Sequence, residues 1–275
     1  MNASNGLLAG GAGFSLAGLL VGVAVGATGV GGGSLMTPVL ILFYGISPTL
    51  AVGTDLLYAS ISKSFGVLLY RQNGSVDWGI VGWQALGSVP ASLLTLLALH
   101  HCGSTAALDH LIKLVLSLAI IVTAAFTLFQ GAIAARLRPA ASRVVEHEGP
   151  VLGPLLQRGL TVAAGALIGS VVTVSSVGAG VIGMMLLLLL YPKHPPVKIV
   201  GSDLAHAVLI TAIAGIGHAR LGAVDYLMLG WLLLGALPGI WLGSRVGFRL
   251  DGAVLKRVVA VLLLVVGSMT LYKTL

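Results

Sequence analysis

Charge is what this sequence has least of. Of its 275 residues only 15 are Lys or Arg and 8 are Asp or Glu, 8% in all, against about 25% in a soluble domain. With so little polar surface and a mean hydropathy of +1.05, the chain cannot coat a water-soluble globule of this length. Cysteine is nearly absent as well. Cys102 stands alone, which excludes an intrachain disulfide and any stability drawn from an oxidising compartment. No HExxH or GxSxG motif occurs in a suitable context, which speaks against an intramembrane enzyme. A sizeable soluble domain is missing too, so a signalling receptor has nothing with which to relay a signal. The net charge of +7 lies on no basic stripe of a soluble face, so no nucleic acid partner is expected. His100, His101, Cys102 and His110 fall in a connecting segment without a close CxxC or HxxxH repeat; neither a metal nor a cofactor is expected. Met1 to Gly6 contains no Lys or Arg and no short apolar region with a cleavage site. It reads as the start of a retained segment rather than a signal peptide.

What is present is a succession of apolar runs, at 6–27, 33–44, 48–70, 78–99, 107–134, 159–175, 178–191, 196–217, 224–244 and 253–273. Many are long enough to cross about 30 Å of hydrocarbon. Lipid tolerates no unpaired backbone groups, and alternating barrel patterns are absent, so all are expected to be helical. The fold class is an all-α polytopic membrane protein in the lipid bilayer. The 39 glycines fit this reading, since membrane helices use small residues to bring backbones together. One substantial polar stretch, 136–158, holds Arg136, Arg138, Arg143, Glu146, His147 and Glu148. It divides the chain into a first membrane repeat (1–135), a hydrophilic cytoplasmic linker (136–158) and a second membrane repeat (159–275).

The halves match at an offset of 148. Pro48, Val52, Gly53, Asp55, Leu56 and Ala59 recur as Pro196, Val200, Gly201, Asp203, Leu204 and Ala207. Gly74, Val76, Asp77, Gly82, Trp83, Leu86, Gly87 and Pro90 recur as Gly222, Val224, Asp225, Gly230, Trp231, Leu234, Gly235 and Pro238. Apolar bias alone aligns leucines, but it does not put Pro, Asp, Trp and Gly in one register.

Charge placement selects a topology. If 6–44 and 159–191 each made one crossing, Lys and Arg would fall about equally on the two sides. If each goes in and returns, one side collects Arg71, Arg136, Arg138, Arg143, Arg158, Lys193, Lys198, Arg245, Arg249, Lys256 and Arg257. Only Lys113, Arg220 and Lys273 remain opposite, a positive-inside pattern. Each half then opens with a broken or returning helix pair and holds an odd number of crossings. The repeats are therefore expected to be inverted, with 8–10 membrane helices and both termini outside. Whether 33–44 and 178–191 cross fully stays open.

The first candidate site is Gly29-Val30-Gly31-Gly32-Gly33-Ser34, with Thr28 before it and Thr37 and Pro38 after it. A break at membrane depth exposes N–H groups and a positive helix end, which suits an anion. The same glycines also suit a close-packing or dimerisation patch, so a homodimer is an open possibility. Ser175-Ser176-Val177-Gly178-Ala179-Gly180 forms a break in the corresponding place of the second half.

In Gly31 to Pro38 and in Ala51-Val52-Gly53-Thr54-Asp55 the chain resembles the sulfite exporter TauE/SafE family of membrane permeases. The likeness covers essentially the whole chain, including its duplicated layout and central linker. It implies secondary transport of sulfite, sulfonates or other small sulfur-containing or organic anions; the export direction comes from the family name alone. At the 148 offset Val181 stands where Gly33 would repeat and Leu186 where Pro38 would. A symmetric pair of glycine cradles is therefore not expected.

The second candidate site is Gly53-Thr54-Asp55 with Gly201-Ser202-Asp203. An Asp within a membrane span costs about 2.5–3.5 kcal/mol on insertion scales, so its default reading is functional. Asp55, Asp203 and the neighbouring His206 are candidates for carrying a coupling proton; the alternative is that each Asp caps a helix or braces a break. Asp55, Tyr58, Ser62 and Lys63 share one helical face, as do Asp203, His206 and Thr211. Lys63 either attracts the anion or neutralises Asp55. Asp77 and Asp225, before Trp78 and Tyr226, read as helix caps at the interface.

The expected function is secondary transport of a small sulfur-containing or organic anion across the plasma membrane by alternating access. Thr28, Gly31, Gly32, Gly33, Ser34, Thr37, Thr54, Lys63, Ser175, Ser176 and Ser202 are the expected substrate contacts. A passive anion channel is the nearest rival.

Overall fold

An apolar chain without alternating strands satisfies its backbone by coiling into helices, and the computed structural model has this form. It describes residues 3–28, 33–70, 76–102, 106–145, 153–247 and 252–274, which hold ten α-helices and no strand. The first half contributes α1 (Ala3–Thr28), α2 (Gly33–Tyr44), α3 (Pro48–Tyr70), α4 (Trp78–Cys102) and α5 (Ala106–Val145). The second contributes α6 (Pro154–Ser175), α7 (Val181–Leu190), α8 (Pro196–Arg220), α9 (Tyr226–Gly247) and α10 (Gly252–Thr274). Among the described residues, five helical stretches are long and apolar enough to cross a bilayer: Trp78–His101, Asp109–Leu128, Pro154–Ser175, Val197–Arg220 and Tyr226–Arg245. The all-α polytopic class is thus as expected.

One detail departs from the sequence reading, and one answers a question it left open. α5 continues past the apolar run to Val145, and α6 begins at Pro154, so the polar stretch is helical at both ends. Ala, Leu and Arg are strong helix formers; polarity ends a membrane span without ending a helix. α2 and α7 have 12 and 10 residues, hence lengths of about 18 and 15 Å at 1.5 Å per residue. Neither spans about 30 Å of hydrocarbon alone.

Packing is reciprocal between the halves. α1 lies along α9 and α6 along α4, while α3 packs on α8 and α5 on α10. The opening helix of each half therefore rests on the fourth helix of the other. Small residues make these seams. A methyl on Gly18, Gly22 or Gly26 would run into the backbone of Leu232, Ala236 or Ile240, and one on Gly235, Gly239 or Gly243 into the backbone of α1. In the other seam Gly165 and Gly169 meet Gln84 and Ser88, and Gly87 meets Val162.

These contacts fix a register. Leu232 and Gln84 are 148 apart, yet their partners Gly18 and Gly165 are 147 apart. The same holds for Gly22 and Gly169, and for Ser15 and Val162. Position 11 faces Trp231, and position 158, again 147 on, places its guanidinium 5.3 Å from the Trp83 ring. The opening helices thus match one residue out of step with the rest.

The second reciprocal link is made by hydrogen bonds. The Asp77 amide donates to Ser202 Oγ at 2.8 Å, and the Asp225 amide to Thr54 Oγ1 at 3.0 Å. Each carboxylate then caps its own helix: Asp77 Oδ1 accepts from Gly79 and Ile80, and Asp225 Oδ1 from Leu227 and Met228. The cap reading of these two residues holds.

Candidate functional site

The middle of the structure is where α3 meets α8, and these helices carry ionisable residues inward. Asp55, Tyr58, Ser62 and Lys63 share the expected face of α3, and Asp203, His206 and Thr211 that of α8; all seven are buried. Buried charges are sustained only by partners, so the partners define the site.

Lys63 bridges the halves. Its Nζ donates to the Ala179 carbonyl, 2.8 Å away in the second-half break. Asp55 and Asp203 both lie near enough to act on its charge. The ammonium therefore bonds a backbone oxygen directly, while its charge acts on both carboxylates from beyond ion-pair distance.

Asp55 is held by α2. Thr37 donates its amide to Asp55 Oδ2 at 3.2 Å and its hydroxyl to the same oxygen. Asp55 Oδ1 has no hydrogen-bond partner among the described residues. Ser176 Oγ lies beside the carboxylate, outside hydrogen-bonding geometry and itself unpartnered. Tyr58 Oη and Ser62 Oγ, also buried, lie beside each other one turn apart, with no well-formed hydrogen bond among the described residues. The cluster thus contains hydrogen-bonding capacity that the protein does not use, next to a fixed cation.

The break after α6 is built by backbone geometry. Ser176 (φ 59°), Gly178 (φ 106°) and Gly180 (φ 124°) all adopt left-handed conformations, which stop one helix and turn the chain before the next. Ser175 steadies the turn: Oγ donates to Val171 O at 2.7 Å and accepts from the Val177 amide at 3.2 Å. This break is the one the sequence places opposite Gly29 to Ser34, and the seams bear on how the two align. In the 147 register set by the seams, Thr28-Gly29-Val30-Gly31-Gly32-Gly33 aligns with Ser175-Ser176-Val177-Gly178-Ala179-Gly180. Gly33 then matches Gly180, not Val181. The 148 offset misplaced the second cradle by one residue.

Not every expected contact joins the cluster. The hydroxyls of Thr54 and Ser202 are engaged at the ends of α9 and α4, and Ser202 also donates to Lys198 O at 2.7 Å. Thr211 bonds back to its own helix. Gly31 and Gly32 lie outside the described residues, as do the side chains of Thr28 and Ser34; Gly33 is described only as the first residue of α2.

The structure adds residues that the sequence reading missed. Ser88 Oγ meets His206 Nε2 at 2.8 Å, Ser92 Oγ meets Thr173 Oγ1 at 2.7 Å, and His218 Nε2 meets Thr173 O at 2.9 Å. All five are buried. Gln84, Ser88 and Ser92 recur every fourth residue along an apolar helix, and that polar stripe was the available signal.

Comparison with known proteins agrees with this picture. The family model described as Sulfite exporter TauE/SafE matches residues 14–270. The chain is 36% identical over 257 residues to "Probable membrane transporter protein YjnA" of Bacillus subtilis (strain 168), covering 92% of this chain and 96% of that one. It is 26% identical to "Probable membrane transporter protein YdhB" of the same organism, with 92% and 97% covered. A "Probable membrane transporter protein" of Xylella fastidiosa (strain Temecula1) is 24% identical, with 93% and 92% covered. No solved structure matches.

Proposed function

Because the chain belongs to the sulfite exporter TauE/SafE family of membrane transporters, we propose that it moves sulfite, an organosulfonate or a similar small anion by alternating access, coupled to protons. The observation that carries this reading is Lys63, a buried ammonium bonded to the Ala179 carbonyl in the break after α6, where its charge acts on two buried carboxylates. An anion needs a positive charge at membrane depth, and Lys63 supplies it. Thr37, Ser175 and Ser176 surround the same place, and Thr28, Gly31, Gly32, Gly33 and Ser34 belong to the matching break. Thr54 and Ser202 stand one residue before the two carboxylates and fix the helix ends that frame the site.

Proton coupling follows from the charge balance. With Lys63 ionised, the two carboxylates leave one negative charge in excess, and an anion would add another in a medium that screens poorly. A proton on one of the acids removes that conflict, so anion and proton move together. Asp55, Asp203 and His206 are the candidate carriers.

The reciprocal packing of α1 on α9 and α6 on α4 supports inverted repeats, 1–135 and 159–275, joined by a cytoplasmic linker at 136–158. Basic residues gathered on one side support a plasma-membrane orientation with both termini outside. The family and the relatives' names are those of permeases rather than enzymes.

The test is reconstitution into liposomes with sulfite, sulfoacetate, thiosulfate and lactate, with and without a pH gradient. Accumulation of one of them against its own gradient is the expected result. Flux that only equilibrates would make the protein a passive channel, and movement of none would overturn the substrate class.

A further inference from the structure

Asp55 and Asp203 occupy matched positions in the two repeats, yet their surroundings differ. Asp55 is clasped by Thr37, whose amide and hydroxyl converge on one carboxylate oxygen. An ionised carboxylate only accepts, and two donors on one oxygen suit a group that stays an acceptor. Around Asp203 no such clasp is present among the described residues. The positions of α7 that correspond to Thr37 are Met184 and Met185, which have no hydroxyl. The α7 residue against Asp203 Oδ1 is Gly183, so close that a methyl there would overlap the oxygen.

A second asymmetry points the same way. One helix turn along α8 from Asp203, His206 meets Ser88 of α4; nearer the C-terminal end of α8, His218 bonds the carbonyl of Thr173, whose hydroxyl meets Ser92, and all are buried. Their counterparts in the other repeat are Tyr58, Ala236, Ile240, Gly26 and Tyr70. Buried polar pairs therefore begin one helix turn from Asp203, whereas the positions equivalent to them in the other repeat are largely apolar. The charged group that acts on Asp203 is Lys63 from α3, and the nearest titratable residue along α8 itself is His206, three positions on. α7 presents Gly183, and α6 adds Ile168 behind it.

We propose that Asp203 alone carries the co-transported proton, while Asp55 remains an acceptor that ties α2 to α3. This rests on the transporter reading above. The proton joins an Asp203 oxygen from water on the side where the anion enters, stays while the anion lies beside Lys63, and returns to water on the other side. Nothing is oxidised or reduced.

Two measurements on the full chain test this. Infrared spectra of the purified protein, recorded as pH is lowered, should show a carboxylic-acid C=O band that is lost in Asp203→Asn and kept in Asp55→Asn. Should Asp203→Asn not fold, Asp203→Glu takes its place and should shift the band, where Asp55→Glu leaves it unmoved. A band that follows Asp55 instead overturns the proposal, whether or not any substrate is transported. In liposomes loaded with radiolabelled sulfite, Asp203→Asn should lose accumulation driven by the pH gradient while sulfite exchange stays detectable. Asp55→Asn should lose both. Gradient-driven accumulation that survives in Asp203→Asn also overturns the assignment, whereas failure of the unaltered protein to move sulfite counts against the substrate reading alone.

Discussion

Thr37 and Asp55, eighteen residues apart, join α2 to α3 through two donors of one residue and a single oxygen of the other. α2 is too short to be held by spanning the bilayer, so this clasp fixes where its N-terminal turn sits relative to the buried charges.

Removing the clasp hydroxyl should therefore be felt both in stability and in transport. Thr37→Val keeps the shape and deletes the donor to a charged acceptor, a loss of about 1.5–3 kcal/mol. The unfolding midpoint in detergent should fall and the initial transport rate with it. Thr37→Ser, which retains the hydroxyl, should recover most of both.

The cross-half bonds from Asp225 to Thr54 and from Asp77 to Ser202 are expected to act independently, because they sit at opposite matched sites. Thr54→Val and Ser202→Ala should each lower stability by about 1 kcal/mol, and the double variant by about the sum. Thermal melts of the four proteins check this. A double variant no worse than either single one would mean that the bonds belong to one cooperative unit.

Much of this architecture was legible in the sequence for a simple reason: membrane insertion makes the apolar pattern almost sufficient. Helix positions followed from hydropathy, and the buried face of α3 from the spacing of Asp55, Tyr58, Ser62 and Lys63. What was illegible depended on contact between distant segments. Nothing local revealed that Thr54 and Ser202 would cap helices of the opposite half, or that Thr37 would seek Asp55. The match of Gly33 to Gly180 is hidden by a one-residue change of register, which the facing backbones of α1 and α9, and of α4 and α6, disclose. Ser88, Ser92 and Thr173 were passed over because a hydroxyl in an apolar helix usually bonds to its own backbone, as Thr211 does.

Glycine at the α1–α9 seam is expected to be irreplaceable, whereas glycine on the outer faces is not. Gly22→Val would push a branched side chain into the Ala236 backbone, where neither helix can yield without breaking the row of contacts. It should abolish monodisperse protein on size exclusion. Gly82→Ala and Gly230→Ala, with no atom near the added methyl, should leave yield and melting unchanged to within about 1 kcal/mol.

Lys63 offers the sharpest separation of folding from function. Lys63→Met leaves Asp55 and Asp203 in the interior without the cation whose charge acts on both, and uncompensated buried charge costs stability. Much of that cost is the stranded charge rather than the lost bond. The double variant Lys63→Met with Asp203→Asn removes one of the stranded charges, so it should melt above the Lys63→Met protein. Transport should not return with it, because the anion still lacks its positive partner. If instead the double variant were no more stable than Lys63→Met, the ammonium would be serving chiefly as a donor to Ala179 O. If Lys63→Met transported sulfite normally, Lys63 would have no place in the anion site.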